Sequence, residues 1–263
     1  MSLHSARLGV IGKPPFYSGS DLGNDNAAFH TAIPRGISLG SSVTSDMWAE
    51  IGAGTFKNLF VGDYWTINNH VWTIGHPNYW LNYGDTACTD NHLLIVSDIL
   101  TTAKLNNSNV TTGAIVGSDW YTGANSNTAR ATVRDLINAA FGSSHILSHR
   151  EYLKNAVTNG YESAGAWYDS TFELMTEEMV YGTKEFGNVT NGTNLPANYT
   201  IDHGQIALFA HDRSQICNRS DWWLRGVVSG TYFAFVYANG LCNYYYASSS
   251  LGIRVAFGIK QAA

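Results

Sequence analysis

Apolar and polar positions alternate with a period of two in several stretches of the chain, and each stretch predicts a strand with one face on a core. Phe60 to Gly75 holds two such runs around Asn68-Asn69, the strongest hairpin signal present, because Asn tolerates the positive φ of a two-residue turn. Near the C-terminus Phe233, Phe235 and Tyr237 alternate with Ala234, Val236 and Ala238, and Ala238-Asn239-Gly240 supplies a turn. Further on, Ile253, Val255, Phe257 and Ile259 alternate with Arg254, Ala256, Gly258 and Lys260. Trp222 to Leu224 reads as a strand beside Ile253 to Phe257 in the same sheet.

A helical period fits two longer segments. Ser126 to Ala140 sets Ala129, Val133, Ile137 and Ala140 on one stripe before Gly142, and Ser170 to Tyr181 carries Phe172, Met175, Met179 and Val180 before Gly182. Shorter helical pieces are expected near Asp46 to Ile51, capped by Thr44 or Ser45, and over His149 to Val157. Ile206 to Phe209 fits a buried strand or a short helix, and Gly187 to Asn198 a polar loop. Few strands, two helices and an irregular C-terminal region make an α+β fold. Residues 1–60, rich in Gly and Ser, read as a small N-terminal attachment or oligomerisation region, and 61–263 as the main domain.

Composition narrows the function. Of the 263 residues only 13% are charged and the formal net charge is -5. Without a Lys/Arg cluster there is no electrostatic footprint for nucleic acid or for an anionic membrane. No apolar run approaches the about 20 residues needed to span a bilayer, and the first residues lack the apolar stretch of a signal peptide. Synthesis in the cytosol without membrane insertion is the expectation. Cys88, Cys217 and Cys242 are odd in number and lack metal-ligand spacing, which argues against a disulfide framework and a zinc site.

Catalytic signals are weak. His145 and His149, followed by Glu151, fall four residues apart but lack the Glu-before-His order of a zincin, so helix capping is the preferred role. Asp202-His203 and His211-Asp212 have no nucleophile elbow to serve. Glu173, Glu177 and Glu178 read as the solvated face of the second helix, whereas Asp63 and Glu151 read as core ion pairs. No phosphate-cradling glycine loop is present. The chain is thus expected to have no catalytic residue, metal or cofactor.

The most distinctive stretch lies between Arg225 and Arg254, where no side chain is charged and Tyr, Ser, Asn, Gly and Ala prevail. Tyrosine gives large contact area at little conformational cost, and Ser, Asn and Gly give adaptable hydrogen bonding, the composition of a paratope. An ordinary Tyr-rich hairpin is the competing reading. Arg225 and Arg254 are expected to pin the ends of this segment by bonding backbone carbonyls and a carboxylate such as Asp221.

Trp222-Trp223-Leu224-Arg225, a variable interior and Gly252-Ile253-Arg254-Val255-Ala256-Phe257 together resemble the C-terminal signature of C-type-lectin-fold domains of gut bacteria and their phages, especially the variable proteins of diversity-generating retroelements. The similarity extends upstream through GDYWTINNHVW, GDTACTDNH, HILSHREYLKNAV, GAWYDSTFELMTEEMVYG and YTIDHGQIALFA, about Gly62 to Ile259. It departs at Ile253 and Val255, where Gly-Val-Arg-Pro is usual, and at Gly226. The resemblance implies a C-type-lectin-like fold, shared with formylglycine-generating enzymes, with a small N-terminal appendage. It implies a variable segment over about 227–253, with ligand-binding positions Tyr237, Ala238, Asn239, Leu241, Asn243, Tyr244, Tyr245, Tyr246, Ser249 and Leu251, together with Thr231, Tyr232 and Phe235. Trp222, Trp223, Leu224, Arg225, Gly252, Arg254 and Phe257 form the structural frame. In that family adenine mutation turns Asn codons into a set that leaves out Lys, Glu, Gln, Met and Trp, and none of these occurs between Val227 and Ile253. The implied function is non-catalytic recognition of a host-surface protein or glycan by a homo-oligomer on a phage particle, a trimer in some relatives. The rivals are a formylglycine-generating-enzyme-like oxidase, which needs close reactive cysteines, and a structural virion protein whose tyrosines pack on another chain.

Overall fold

The computed structural model describes residues 26–111, 115–122, 126–153, 157–158, 161–162, 166–183, 185–186 and 204–263. Helices α1 (Ala27–Ala32) and α2 (Ser45–Ala53) come first. Thr44 caps α2 as expected, its hydroxyl accepting the Met47 amide at 3.3 Å. Strands β1 (Tyr64–Ile67) and β2 (His70–Pro77) form the expected hairpin, and Asn68 and Asn69 take φ of 54° and 65°. Then come β3 (Leu93–Ser97), β4 (Thr101–Ala103), α3 (Ala131–Phe141), β5 (His149–Leu153), β6 (Val157–Thr158), β7 (Tyr161–Glu162), β8 (Ala166–Ser170), β9 (Glu173–Leu174), α4 (Glu177–Tyr181) and α5 (Ala207–His211). The C-terminal strands are β10 (Trp222–Val227), β11 (Tyr232–Val236), β12 (Cys242–Tyr246), β13 (Leu251–Ile253) and β14 (Val255–Ile259).

Two five-stranded sheets organise these elements in the orders β1-β2-β3-β14-β9 and β12-β11-β10-β13-β4. With short helices beside mainly antiparallel sheets, the chain is α+β. The expectation for its C-terminal strands holds only in part. Leu251–Ile253 does lie beside β10, Trp222 pairing in parallel with Gly252, but Val255–Ile259 belongs to the other sheet, between β3 and β9. The period of two runs unbroken through both strands, so alternation alone does not reveal the change of partner at Arg254.

The interior strands of both sheets bury both faces. On one side Trp72, Ile74, Leu93, Ile95 and Phe257 join Trp223, Phe233 and Phe235; on the other Leu94, Val96 and Ala256 join Trp222, Leu224, Ala234 and Val236. The described part of the region expected to be a separate N-terminal attachment enters these same cores. Ile51, Phe56, Leu59, Phe60 and Val61 are fully buried, and Arg35 clamps Asp63 with two nitrogens, so a boundary at residue 60 falls inside packed structure. The aromatic and apolar residues that anchor the segment are spaced among Gly and Ser, which made its composition read as a separate attachment region.

Two helix expectations are corrected. Ser170 to Tyr181 is helical only from Glu177, where Thr176 caps α4 through the Met179 amide at 3.1 Å. Before it the chain pairs with β14 as β9, Glu173 taking Arg130 at 3.1 Å and Ser170 at 2.7 Å. Tertiary pairing overrides helical propensity here. His149 to Leu153 is likewise a strand, paired with β8, and Arg150 bridges Asp85 and Asp169 across that ribbon. The helix expected from Ser126 begins as a π-helical turn over Ser126–Arg130 and becomes α3 at Ala131, with Val133 and Ile137 buried and Gly142 as its cap. Ile206 to Phe209 resolves as the start of α5. The loop expected over Gly187 to Asn198 lies outside the described residues.

Under this scaffold His92 is fully buried. Its Nε2 accepts the Trp80 amide at 3.0 Å and its Nδ1 faces the Asp90 carbonyl at 2.8 Å, an arrangement that fixes a neutral ring. Burial pulls its pKa from 6.5 to about 3, and burial aided by the His211 charge pulls His76 to about 4. Both folded values are depressed, so the unfolded chain takes up protons below pH 6.5 that the folded chain refuses. Stability is therefore complete above pH 6.5 and declines as pH falls through the window down to about 3. Urea unfolding between pH 7 and pH 4 should show a decline approaching about 1.4 kcal/mol per pH unit for each histidine. His92→Gln should make the decline shallower, and an unchanged slope would show that this histidine is not its source.

Candidate functional site

The tyrosine-rich segment folds as a hairpin at one edge of the second sheet. Strand β11 is paired on both sides, by β10 and β12, and four of its five residues are buried. Strand β12 is the edge. The register sets Tyr232 opposite Tyr246, Phe233 opposite Tyr245, Ala234 opposite Tyr244, and Phe235 opposite Asn243. Successive side chains point to opposite faces, so Tyr232, Tyr244 and Tyr246 share one face, with ring centroids 4.7 and 5.1 Å from Tyr232. Tyr245 stands on the other, 5.9 Å from Phe235. The core ends beneath β11, and β12 overhangs it, which leaves Asn243 to Tyr246 exposed on both faces.

Backbone bonds shape the connecting turn. The Tyr237 amide donates to the Leu241 carbonyl at 2.8 Å, and the Gly240 amide to the Tyr237 carbonyl at 2.7 Å. Gly240 takes φ of 83°, and a Cβ there would meet Cys217 Cβ at 3.0 Å, so the turn needs glycine on both counts. Asp221 receives the Ala238 amide at 2.8 Å, and the Arg219 amide bonds the Ala238 carbonyl. Beyond β12, Ala247 is buried and its carbonyl accepts the amides of Leu105 and Asn106.

Of the expected ligand-binding positions, Tyr237, Asn239, Leu241, Asn243, Tyr244, Tyr245 and Tyr246 are exposed, and Ala238, Ser249, Thr231 and Tyr232 are half-buried around them. Phe235 is corrected to a core residue: it is 2% exposed and its ring packs edge-on to Trp223. Leu251 is half-buried on β13, three places from β12 in the strand order, and packs against the core instead of joining the tyrosines. The frame residues Trp222, Trp223, Leu224, Arg225, Gly252, Arg254 and Phe257 are all buried. At Gly252 a Cβ would come within 2.9 Å of the Asp221 carbonyl, so the parallel pairing with β10 depends on glycine.

The two arginines divide the expected roles. Arg254 binds carbonyls, donating Nε to Ser97 at 2.7 Å and Nη1 to Gln215 at 2.5 Å. Arg225 takes a carboxylate, but the partner is Glu151 at 3.0 Å and not Asp221, which is occupied in the turn. Glu151 also accepts Trp80 Nε1 at 2.9 Å and lies 3.2 Å from His149 Nε2, as a core ion pair should. Glu173 on β9 and Glu177 and Glu178 on α4 are buried rather than solvated, since both elements lie inside the fold; Glu177 accepts the amides of Glu185 and Phe186.

The remaining candidates are held in structural contacts. His145 stacks on Trp48 with centroids 3.8 Å apart, and His149 on Trp80 at 3.9 Å, so no shared helix face presents the pair. His211 faces the Thr31 carbonyl, Asp212 caps the turn after α5, and Asp202-His203 lies outside the described residues. All three cysteines are free thiols, and burial followed by the charge of Glu177 pushes the Cys242 thiol far up, which disfavours a thiolate there. Among the described residues no group of three or more His, Cys, Asp or Glu gathers to hold a metal.

Sequence reasoning missed the surroundings of the hairpin. Phe186 packs edge-on to Tyr244 at 5.2 Å, and a cleft of about 530 Å³ beside Leu241 and Cys242 is walled by Tyr181, Phe209, Arg213 and Ile216. These residues come from α4, α5 and the turn after it, and only tertiary packing brings them to the strand; no local pattern marks them.

Stability should separate display from frame. Tyr244→Ala, Tyr245→Ala and Leu241→Ala should each shift urea-unfolding stability by no more than about 0.5 kcal/mol, as exposed sites do. Trp223→Ala and Phe235→Ala should each cost about 3–5 kcal/mol. Comparable losses in both sets would make the tyrosines part of the core.

A family model described as "Domain of unknown function (DUF6273)" matches residues 90–261. No curated protein and no solved structure matches the chain. The matched span takes in every strand of the second sheet, the tyrosine hairpin and both framing arginines, and covers well over half of the sequence. The chain belongs to the DUF6273 family.

Proposed function

We propose that the tyrosine hairpin is a non-catalytic recognition surface for a host-surface protein or glycan, carried on a C-type-lectin-like fold by a variable protein of the diversity-generating-retroelement kind. The observation that carries this reading is where apolar side chains meet solvent. Seven large hydrophobic residues are exposed among those described, and five of them, Tyr237, Leu241, Tyr244, Tyr245 and Tyr246, fall within ten residues of one hairpin. Clustered exposed aromatics of this kind mark interaction sites, and tyrosines are frequent hot spots of binding energy. The turn is held by main-chain bonds and by Asp221, so its outward side chains can change without altering its path. That suits a surface diversified at Tyr, Ser and Asn positions. Display on a phage particle as a homo-oligomer belongs to the same proposal, because several copies raise effective concentration for a surface that binds weakly alone.

Purified protein presented to candidate host cells and to arrays of surface proteins and glycans should bind, and Tyr244→Ala/Tyr245→Ala/Tyr246→Ala should weaken that binding by at least about tenfold. EDTA should leave the parent's binding intact. Binding indifferent to the triple substitution, or abolished by EDTA, would reject the proposal, and turnover of a small substrate would favour the oxidase instead.

A further inference from the structure

A second cleft, of about 390 Å³, opens between the β1–β2 hairpin and α5, and its walls include Arg254, Asp98, Asp212, Val71 and Leu208. It shares no lining residue with the tyrosine hairpin. Its floor holds an unusual cation. Arg35, Arg130 and Arg225 each grip a buried carboxylate, Asp63, Glu173 and Glu151 respectively. Arg254 is 4% exposed and, among the described residues, bonds only the neutral oxygens of Ser97 and Gln215, at 2.5 to 3.2 Å. A guanidinium has five N–H groups, and those three bonds leave one on each terminal nitrogen without a partner among the described residues. A buried charge is stable when paired, and the opposite charge that acts on this one is the Asp98 carboxylate, whose hydrogen bonds go to Val71 and His70 and not to the guanidinium.

The acidic side of the cleft has spare capacity too. Asp98 receives the Val71 amide on Oδ2 at 3.1 Å and lies 3.0 Å from His70 Nδ1, yet its side chain is 35% exposed. Asp212 spends Oδ1 on Ser214, and its other oxygen has no partner among the described residues. Two carboxylates in the same cleft would repel a simple anion that reached for Arg254. They would welcome a ligand that brings an ammonium along with its carboxylate. Val71 is 37% exposed, and with Leu208 it offers an apolar wall for the rest of such a molecule.

We propose that this cleft binds a free α-amino acid with an apolar side chain, its carboxylate on Arg254 and its ammonium between Asp98 and Asp212. The guanidinium matches a carboxylate with two parallel donors, the geometry that makes such pairs strong. Titration calorimetry with L-leucine, leucinamide, 4-methylpentanoate and 3-methylbutylamine tests the assignment on the full chain. Leucine should bind, and each of the other three, lacking one charge, should bind at least about tenfold more weakly. Asp98→Asn keeps an oxygen for the Val71 amide and removes the charge, while Val71→Trp fills the cleft from an exposed position. Both folded variants should lose leucine binding by at least about tenfold, whereas Tyr244→Ala/Tyr245→Ala/Tyr246→Ala should retain it. 4-Methylpentanoate binding as tightly as leucine, no heat with leucine at millimolar concentration, or unchanged binding in the two folded cleft variants would each overturn the proposal. None of these outcomes bears on the tyrosine surface, whose own test uses different variants.

Discussion

A single residue, Arg254, separates the last strand of one sheet from an interior strand of the other, and its burial decides how the two sheets meet. The chain turns there without a loop. The Ile253 carbonyl is taken by the Leu100 amide, the Val255 amide by Ser97 Oγ, and the guanidinium by the Ser97 and Gln215 carbonyls. Its Cζ lies 5.4 Å from the Phe209 ring centroid and 5.2 Å from that of Trp222, and those centroids are 6.4 Å apart, so the cation rests against both rings as well as being hydrogen-bonded. Every neighbour it fixes belongs to a different element: the end of β3, the turn after α5, α5 itself and β10. A lysine would satisfy one of these contacts and leave the others open.

Ion pairs inside the fold follow the same logic on a larger scale. Glu151 joins β5 to β10 through Arg225 and to the Trp80 loop through the indole, and Glu173 joins β9 to the turn before α3 through Arg130. Such links contribute less net stability than their number suggests, because each ion loses its hydration on burial. Their effect is on geometry. They tie β10 to β5 and β9 to the turn before α3, elements far apart in the sequence.

Local chemistry was legible in the sequence wherever it decides structure by itself. Asn68-Asn69 made a hairpin because both residues accept a left-handed backbone, and Thr44 made a helix start because its hydroxyl reaches an orphan amide. The tyrosine stretch was visible because a segment without charge is hard to miss, and its exposure follows from β12 having a neighbour on one side only. What stayed hidden depends on distant partners. Glu173 and Glu177 look solvated until Arg130 and the Glu185 amide are placed beside them. Phe235 and Tyr237 occupy equivalent positions in an alternation, and only the end of the core between them makes one a frame residue and the other a surface residue. The packed segment before residue 60 was hidden for the same reason: Phe56, Leu59 and Phe60 are too few to announce a core they share with strands elsewhere.

The pairing of β13 and β14 has a consequence for how the protein is made. Ile259 lies opposite Leu93 and Ile253 opposite Thr101, and the Arg254 to Ser97 bond closes a separation of 157 residues. Until the ribosome has released these strands, β3 lacks one neighbour, β4 lacks its pairing strand, and the apolar faces of both sheets stay open. Long-range pairings of this kind delay closure and prolong the time that unpaired edges are at risk of sticking to other chains. Closure of both sheets therefore comes after β13 and β14 are available, and until then β3 carries an open edge.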